Sequence, residues 1–148
     1  VRNGIVPILC VGETITEKVN HDTGQVIHDQ VTTALSNLTA EDVEHMVIAY
    51  EPVWALSNGS NFRDVETPTP DIIEKVVKDI RHNVAELYGQ RSANNLRVLY
   101  GGSTHSGTAG GFLNISGIDG LLVGGASMDF HEFSKMVEIA AGVAASRS

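Results

Sequence analysis

Apolar residues along this chain fall into four short runs, separated by longer stretches in which apolar positions have helical spacing. The runs cover residues 5–11, 46–50, 96–100 and 121–123 and are rich in Val, Ile and Leu. Short runs of this kind predict strands buried on both faces, whereas a repeat of three to four residues predicts helices with one apolar side. The order predicts four successive strand–helix units within a single domain, residues 1–148.

Four helices are predicted between and after these strands. The second begins at Thr69-Pro70, where threonine caps the helix and proline occupies its first position. A short helix is expected over residues 108–114. The apolar faces of the other three contain Val26, Ile27, Val31, Ala34, Leu35 and Leu38; Ile72, Ile73, Val76, Val77, Ile80, Val84 and Leu87; and Phe130, Phe133, Met136, Val137 and Ala140. Four such units form either an open doubly wound α/β sheet or half of a (β/α)₈ barrel, and periodicity does not separate these folds.

The second apolar run ends on a carboxylate. Tyr50 is followed by Glu51 and Pro52, and the proline prevents the strand from continuing. A glutamate at the end of a buried strand sits where a loop can close over it and exclude water, so Glu51 is a candidate general base. An acidic residue that merely begins a surface loop gives the same local pattern.

Two of the other predicted strands end in paired glycines with a serine nearby. These ends read Tyr100-Gly101-Gly102-Ser103 and Val123-Gly124-Gly125-Ala126-Ser127. Without Cβ atoms, the backbone amides can approach a ligand closely, and a helix that follows adds its positive end. The carboxyl ends of parallel strands share one rim, so these turns and Glu51 predict an anion site beside a base. Tight turns without a ligand are the alternative for each pair alone.

Charge and composition exclude several classes of function. With 10 Lys and Arg against 18 Asp and Glu, the net charge is −8 and no basic stripe is present, so nucleic acid is not an expected partner. No apolar stretch approaches the roughly 20 residues that span a bilayer, and no signal peptide is evident, so we expect no membrane partner and a cytoplasmic location. The six histidines lack metal-ligand spacing, and the single cysteine, Cys10, is predicted to pack in the core.

Together these motifs resemble the triosephosphate isomerase family. Tyr50-Glu51-Pro52-Val53-Trp54-Ala55, Tyr100-Gly101-Gly102-Ser103 and Asp119-Gly120-Leu121-Leu122-Val123-Gly124-Gly125-Ala126-Ser127 occur in the family's order, and Cys10-Val11-Gly12-Glu13 resembles the end of its fifth strand. The resemblance covers nearly the whole chain. It implies strands five to eight of a TIM (β/α)₈ barrel, and an isomerase of glycolysis and gluconeogenesis that interconverts dihydroxyacetone phosphate and glyceraldehyde 3-phosphate without a cofactor or metal.

The resemblance also implies roles for individual residues. Glu51 would be the catalytic base, and Leu56 and Leu122 would shield its carboxylate from water. The backbone N–H groups of Ser103, Gly124 and Gly125, with that of Ser57 in the lid, would bind the substrate phosphate. The N-terminal hinge of a mobile lid would consist of Pro52, Val53 and Trp54. Tyr100 would hold the closed lid by a hydrogen bond. An ion pair between Arg81 and Asp119 and a supporting role for Glu13 are also implied.

The sequence departs from this family in two respects. The lid is several residues longer, and Ser57 replaces a glycine, so the substrate could instead be another small sugar phosphate, such as a tetrulose phosphate. The family's catalytic asparagine, lysine and histidine belong to earlier strands, so the chain alone is expected to be catalytically incomplete. An open half-barrel exposes two strand edges and an apolar face, which a second copy in a homodimer or an N-terminal half of the barrel would cover. A non-catalytic, phosphate-binding half-barrel is a further alternative.

Overall fold

The computed structural model describes residues 1 and 3–147, in which four strands form one parallel sheet. The strands are β1 (Ile8–Val11), β2 (Val47–Tyr50), β3 (Arg97–Tyr100) and β4 (Gly120–Leu121), and they lie in the consecutive order β1-β2-β3-β4. A doubly wound sheet reverses its strand order part-way. An unreversed order with right-handed crossovers places all the helices on one face. The topology is therefore that of a barrel segment, which decides between the two predicted folds.

The helices are α1 (Ile15–Val19), α2 (Thr23–Leu35), α3 (Ala40–His45), α4 (Pro70–Tyr88), α5 (Gln90–Asn95), α6 (Ser106–Leu113) and α7 (Phe130–Arg147). Short 3₁₀ turns cover Val53–Ala55 and Gly125–Met128. The predicted helices are confirmed as α2, α4, α6 and α7, and Thr69 and Pro70 open α4 as expected. Three of the described helices, α1, α3 and α5, were not predicted. The first two begin with capping boxes, Thr14 with Glu17 and Thr39 with Asp42.

The hydrophobic core lies on the helix-covered face of the sheet. Tyr50 and Tyr100, at the ends of β2 and β3, are fully buried there with Ile48 and Val98. Side chains of α2 and α4 complete this layer, among them Ile27, Val31, Leu35, Ile73, Val76 and Ile80. The buried faces of these two helices follow most of the apolar positions predicted from the sequence, but Ile72 and Leu87, at the two ends of α4, are exposed. This packing fixes the strands whose carboxyl ends carry the candidate site.

The opposite face of the sheet has no helix over it among the described residues. Ile8 is 50% exposed, and Cys10 and Arg97 are also exposed there. The prediction that Cys10 packs in the core is therefore wrong, because β1 is an edge strand and Cys10 lies on its uncovered side. Exposed apolar side chains also occur along α7, including Phe130, which is 78% exposed, and Val137, which is 54% exposed. Both features agree with the exposed apolar surface expected of an open half-barrel.

An ion pair beneath the sheet fixes the start of β4 beside β3. Arg81 of α4 donates to Asp119 Oδ2 at 2.9 Å, and its guanidinium also donates to the carbonyl of Leu96 at 2.9 Å. The same carboxylate oxygen accepts the backbone N–H of Val98 at 2.8 Å. The pair implied by the family resemblance is confirmed, and its role is to join two strands and a helix. None of the described helices is long and apolar enough to cross a membrane.

Candidate active site

The rim formed by the carboxyl ends of the strands is held by backbone hydrogen bonds that continue the sheet. The N–H of Glu51 donates to the Val11 carbonyl at 2.7 Å, and the N–H of Gly101 donates to the Tyr50 carbonyl at 2.8 Å. The N–H of Leu122 donates to the Tyr100 carbonyl at 2.9 Å. Parallel pairing therefore brings residues far apart in sequence to the same edge.

Glu51 projects from this rim into a cleft and is half-buried. Gly101 leaves room for it, since a Cβ at that position would lie 2.5 Å from Glu51 Cγ and 2.9 Å from its Oε1. The thiol of Cys10 lies beside this carboxylate, and partial burial, followed by the interaction with Glu51, raises the pKa of Cys10 to about 11. Cys10 therefore stays a neutral thiol at physiological pH, next to the candidate base.

The backbones of Gly124 and Gly125 face the same cleft, whose volume is about 240 Å³. Gly124 ends the segment that follows β4, and Gly125 opens a 3₁₀ turn, so the N–H groups at this point lack partners within the turn. Backbone amides at the first turn of a helix can bind anions. The structure thus brings Glu51 and the two glycines to one mouth of the sheet, as the strand-end pattern predicted.

Ser103 differs in one respect from its predicted role. Its backbone N–H donates to the carbonyl of Ala55 at 2.8 Å, so in this arrangement that amide is not available to a ligand. Ser103 still lines the cleft, and its hydroxyl, like that of Thr104, is buried without a hydrogen-bond partner among the described residues. Because buried hydroxyls normally have partners, these two are candidates for contact with a ligand.

The lid hinge is held by a buried carboxylate. Trp54 Nε1–H donates to Glu13 Oε1 at 2.7 Å, and the Tyr50 hydroxyl donates to both carboxylate oxygens at 3.2 Å. Glu13 is only 1% exposed. The ammonium of Lys18 lies 3.4 Å from the centre of the Trp54 ring. Burial, followed by the charge of Glu13, raises the pKa of Tyr50 above its ordinary value. Glu13 thus supports the hinge, the role that the family resemblance implies.

The first lid residues enclose the cleft. Pro52 is buried and Val53 donates its N–H to the Glu13 carbonyl at 2.9 Å, so the chain leaves β2 along a fixed path. Leu56 and Leu122 line the cleft together with Glu51, which is the position expected of residues that shield the base.

Ser57 also lines the cleft and adopts no left-handed backbone conformation, so its change from glycine brings no strain. The left-handed turn falls instead on Asn58 and Gly59, at φ values of 46° and 87°. Asparagine tolerates this conformation better than most residues with a side chain.

The hydroxyl of Tyr100 makes no hydrogen bond to the described residues of the lid. Its side chain is buried between Tyr50 and Phe112, with ring centres 6.3 Å and 4.5 Å away, and in the part of the chain that the structure describes its hydroxyl has no hydrogen-bond partner. Burial raises the pKa of Tyr100, which therefore stays protonated. A Cβ at Gly102 would fall 2.1 Å from that hydroxyl. The expected hydrogen bond to the lid is thus not formed in this arrangement.

Sequence reasoning missed three residues of the cleft. Asn58, Phe62 and Thr104 line it, although none of them was predicted to do so. Phe62 offered a signal, because it is an isolated aromatic residue in an otherwise polar part of the lid. Thr104 offered none, since a threonine after a glycine turn is ordinary. The described residues contain no group of three or more His, Cys, Asp or Glu side chains that could hold a metal.

Comparison with known proteins decides the family. The triosephosphate isomerase family model matches residues 1–140. The chain belongs to the triosephosphate isomerase family. It is similar to a triosephosphate isomerase from Clostridium tetani (strain Massachusetts / E88), with 44% identity over 136 residues, which cover 92% of this chain and 51% of that protein.

Other triosephosphate isomerases are similar to nearly the same degree. The protein from Caldanaerobacter subterraneus subsp. tengcongensis is 43% identical over 88% of this chain and 50% of its own length. The protein from Acetivibrio thermocellus is 42% identical over 93% of this chain and 52% of its own. The chain therefore spans about half the length of the curated triosephosphate isomerases that it matches. This proportion agrees with four of the eight β/α units of a TIM barrel.

Proposed function

We propose that this chain supplies the base and the phosphate-binding turns of a triosephosphate isomerase, which interconverts dihydroxyacetone phosphate and glyceraldehyde 3-phosphate. One observation carries the proposal: the Glu51 carboxylate and the backbones of Gly124 and Gly125 line the same cleft. A phosphate on the glycine amides would place the carbon chain of a triose phosphate beside Glu51. Membership of the family supports this reaction class.

In the proposed reaction, Glu51 removes a proton from the carbon next to the carbonyl group. The electrons of that C–H bond form the C–C double bond of an enediolate, and the carbonyl oxygen takes the negative charge. The proton of the neighbouring hydroxyl group then passes to the former carbonyl oxygen. The electrons left on the hydroxyl oxygen form the new carbonyl group as Glu51 returns its proton to the adjacent carbon, so the base is regenerated and no atom is gained or lost. Leu56 and Leu122 exclude water, which would otherwise solvate the carboxylate.

Polarisation of the carbonyl is the part of the reaction that the proposal does not assign to this chain. The family resemblance gives that task to a lysine and a histidine on earlier strands of the barrel. The described residues that line the cleft include no cationic side chain. We therefore expect residues 1–148 alone to bind phosphate but to isomerise triose phosphates poorly. An N-terminal half of the barrel would complete the site, whereas a second copy of the chain would cover only the exposed strand edges.

The substitution Glu51→Asp tests the base. It withdraws the carboxylate by one methylene, and a displacement of about 1 Å can cost about 10²-fold in rate. In the protein as its gene encodes it, turnover of glyceraldehyde 3-phosphate should fall by about that factor. Inhibition by inorganic phosphate should change less than about twofold, because the glycine amides are untouched.

Glu74→Asp is the matched control, because Glu74 lies on α4 in an exposed pair with Lys78 and should leave turnover unchanged. If Glu51→Asp and Glu74→Asp turn over equally fast, Glu51 is not the base. If phosphate causes no chemical-shift change at Gly124 and Gly125 in the 148-residue chain, the phosphate-binding part of the proposal fails.

A relative that acts on another small sugar phosphate is the second candidate function. It is favoured by Phe62, which brings an aromatic wall from the lengthened lid into the cleft. Measuring kcat/KM for three- and four-carbon ketose phosphates with the encoded protein separates the two candidates. A clear preference for the tetrulose phosphate supports the second one. Absence of turnover with either substrate, combined with phosphate binding, favours a non-catalytic phosphate-binding half-barrel.

A further inference from the structure

The lid carries a segment, residues 61–67, that we call the lid extension. Its first turn is held by Asn61, whose Nδ2–H donates to Asp64 Oδ2 at 2.8 Å and whose Oδ1 accepts the N–H of Arg63 at 3.2 Å. Turns closed by asparagine side chains in this way have a defined shape. Phe62 and Arg63 are thus presented side by side, with the guanidinium carbon 4.8 Å from the centre of the ring.

The Phe62 ring lines the cleft beside Gly125 of the proposed anion site. It packs against a small buried cluster formed by Ala109 of α6, Ala126 of the 3₁₀ turn and Met136 of α7. A Cβ on Gly125 would lie 3.4 Å from Phe62 Cδ1, so the ring is close to the phosphate-binding backbone. The lid extension therefore contacts the same elements that carry the proposed anion site.

Arg63 reaches a carboxylate that is already held in place. Its Nη2 lies 2.8 Å from Glu132 Oε2, and the Glu132 side chain is only 7% exposed. The other oxygen, Oε1, accepts the N–H of Ser106 at 2.6 Å, at the start of α6. The Ser106 hydrogen bonds, and then Arg63, hold the pKa of Glu132 below its ordinary value. A buried, fixed carboxylate is a better partner for a lid cation than two exposed side chains would be.

We propose that Phe62 and Arg63 form a latch, which holds the lid closed over the backbone of Gly124 and Gly125. Both are positioning residues, since they act through the lid. The inference rests on the proposed function for its ligand, but the latch itself is a property of the ligand-free chain. A ligand that binds only the closed form has an apparent affinity reduced by the fraction of closed molecules. Weakening the latch must therefore both expose the lid and weaken phosphate binding.

The first test uses Arg63→Gln in the 148-residue chain. Hydrogen exchange of the backbone amides of residues 56–67, without ligand, should quicken about three- to tenfold, as expected for loss of one ion pair with a buried member. The Kd for inorganic phosphate should rise by about the same factor. Arg91→Gln is the matched control, because Arg91 is 85% exposed in a 3.6 Å pair with Glu44, far from the lid. If the two variants behave alike, the latch is refuted.

A second set of variants separates the latch from the structural role of Glu132. Glu132→Gln keeps an acceptor for the Ser106 amide but removes the charge, so it should match Arg63→Gln. The double variant should be no worse than either single one, because both remove the same interaction. Arg63→Lys should restore part of the slow exchange. Effects that add in the double variant, or no rescue by lysine, would overturn the proposal.

Kinetics of the encoded protein give the last readout. Arg63→Gln should raise KM about three- to tenfold while kcat changes less than twofold, because the lid equilibrium shifts and the base stays in place. A fall in kcat at constant KM contradicts the latch. The two proposals fail separately: a wild-type chain that binds no phosphate refutes the proposed function, whereas lid exchange in the ligand-free chain judges the latch alone.

Discussion

The floor and the roof of the cleft are held by different kinds of interaction. The floor, at Glu51, Gly101 and Leu122, is fixed by backbone hydrogen bonds of 2.7–2.9 Å that continue the parallel sheet. The roof, residues 56–67, meets the rest of the molecule mainly through side chains, with ion pairs from Arg63 to Glu132 and from Glu66 to Lys18. Backbone pairing needs only a strand, whereas side-chain pairing needs particular residues. The floor should therefore tolerate little displacement, and the roof should tolerate gradual weakening.

The largest effect is expected at the floor, from Gly101→Ala. The new Cβ would lie 2.5 Å from Glu51 Cγ, so the carboxylate must move. A shift of about 1 Å predicts a fall in kcat of about 10²-fold in the encoded protein, with the phosphate Kd little changed. Steady-state kinetics and a phosphate titration measure the two quantities.

Gly111→Ala provides the matched control for this substitution. Gly111 lies in α6, and a Cβ there would meet nothing within 4 Å. Alanine in a helix should stabilise the protein by roughly 0.5–1 kcal/mol and leave kcat unchanged. If Gly101→Ala is as active as Gly111→Ala, the floor is not the rigid element described above.

An intermediate effect is expected at the hinge, where the floor meets the roof, from Trp54→Phe. The change removes the 2.7 Å hydrogen bond to Glu13, a carboxylate only 1% exposed, and leaves the Tyr50 hydroxyl to satisfy it. A hydrogen bond to a charged group predicts a loss of about 1.5–3 kcal/mol in the free energy of unfolding. Urea denaturation followed by circular dichroism measures it, since the variant contains no tryptophan.

Phe130→Leu is the comparison for the hinge variant. Phe130 is 78% exposed at the start of α7, so trimming its ring should cost less than about 0.5 kcal/mol. Equal losses for the two variants would mean that Glu13 does not anchor the hinge through Trp54. Equal losses would also mean that the hydrogen bond from Trp54 to Glu13 does not fix the start of the lid.

The same contrast explains what the sequence could predict. Strands and amphipathic helices follow from apolar spacing, so α2 and α4 and the positions of Glu51 and Gly124 at one rim were predictable. The short helix α1 was missed because its signal is a capping box, Thr14 with Glu17, rather than periodicity.

The remaining misses depend on tertiary surroundings that local sequence does not encode. Cys10 has the apolar neighbours of a core residue, and only the position of β1 at the sheet edge exposes it. The position of the Phe62 side chain is set by packing against Ala126 and Met136, which lie 64 and 74 residues further along the chain. No periodic pattern connects a lid to such partners. Likewise, the Ser103 N–H donates to the Ala55 carbonyl only because the fold brings these two backbone segments together.

The smallest effect is expected in the roof, from Glu66→Gln, which breaks the 3.3 Å pair with Lys18. Glu66 is 77% exposed, so the pair is open to solvent and should contribute only about 0.2–0.5 kcal/mol. Hydrogen exchange across residues 56–67 should therefore quicken by less than about 2.5-fold, and 1 M salt should remove the difference. Arg63→Gln, whose partner is buried, should always have the larger effect. If Glu66→Gln opens the lid as much as Arg63→Gln does, burial of the partner does not set the strength of lid attachment. The pairs Glu66–Lys18 and Arg63–Glu132 would then hold the roof equally strongly.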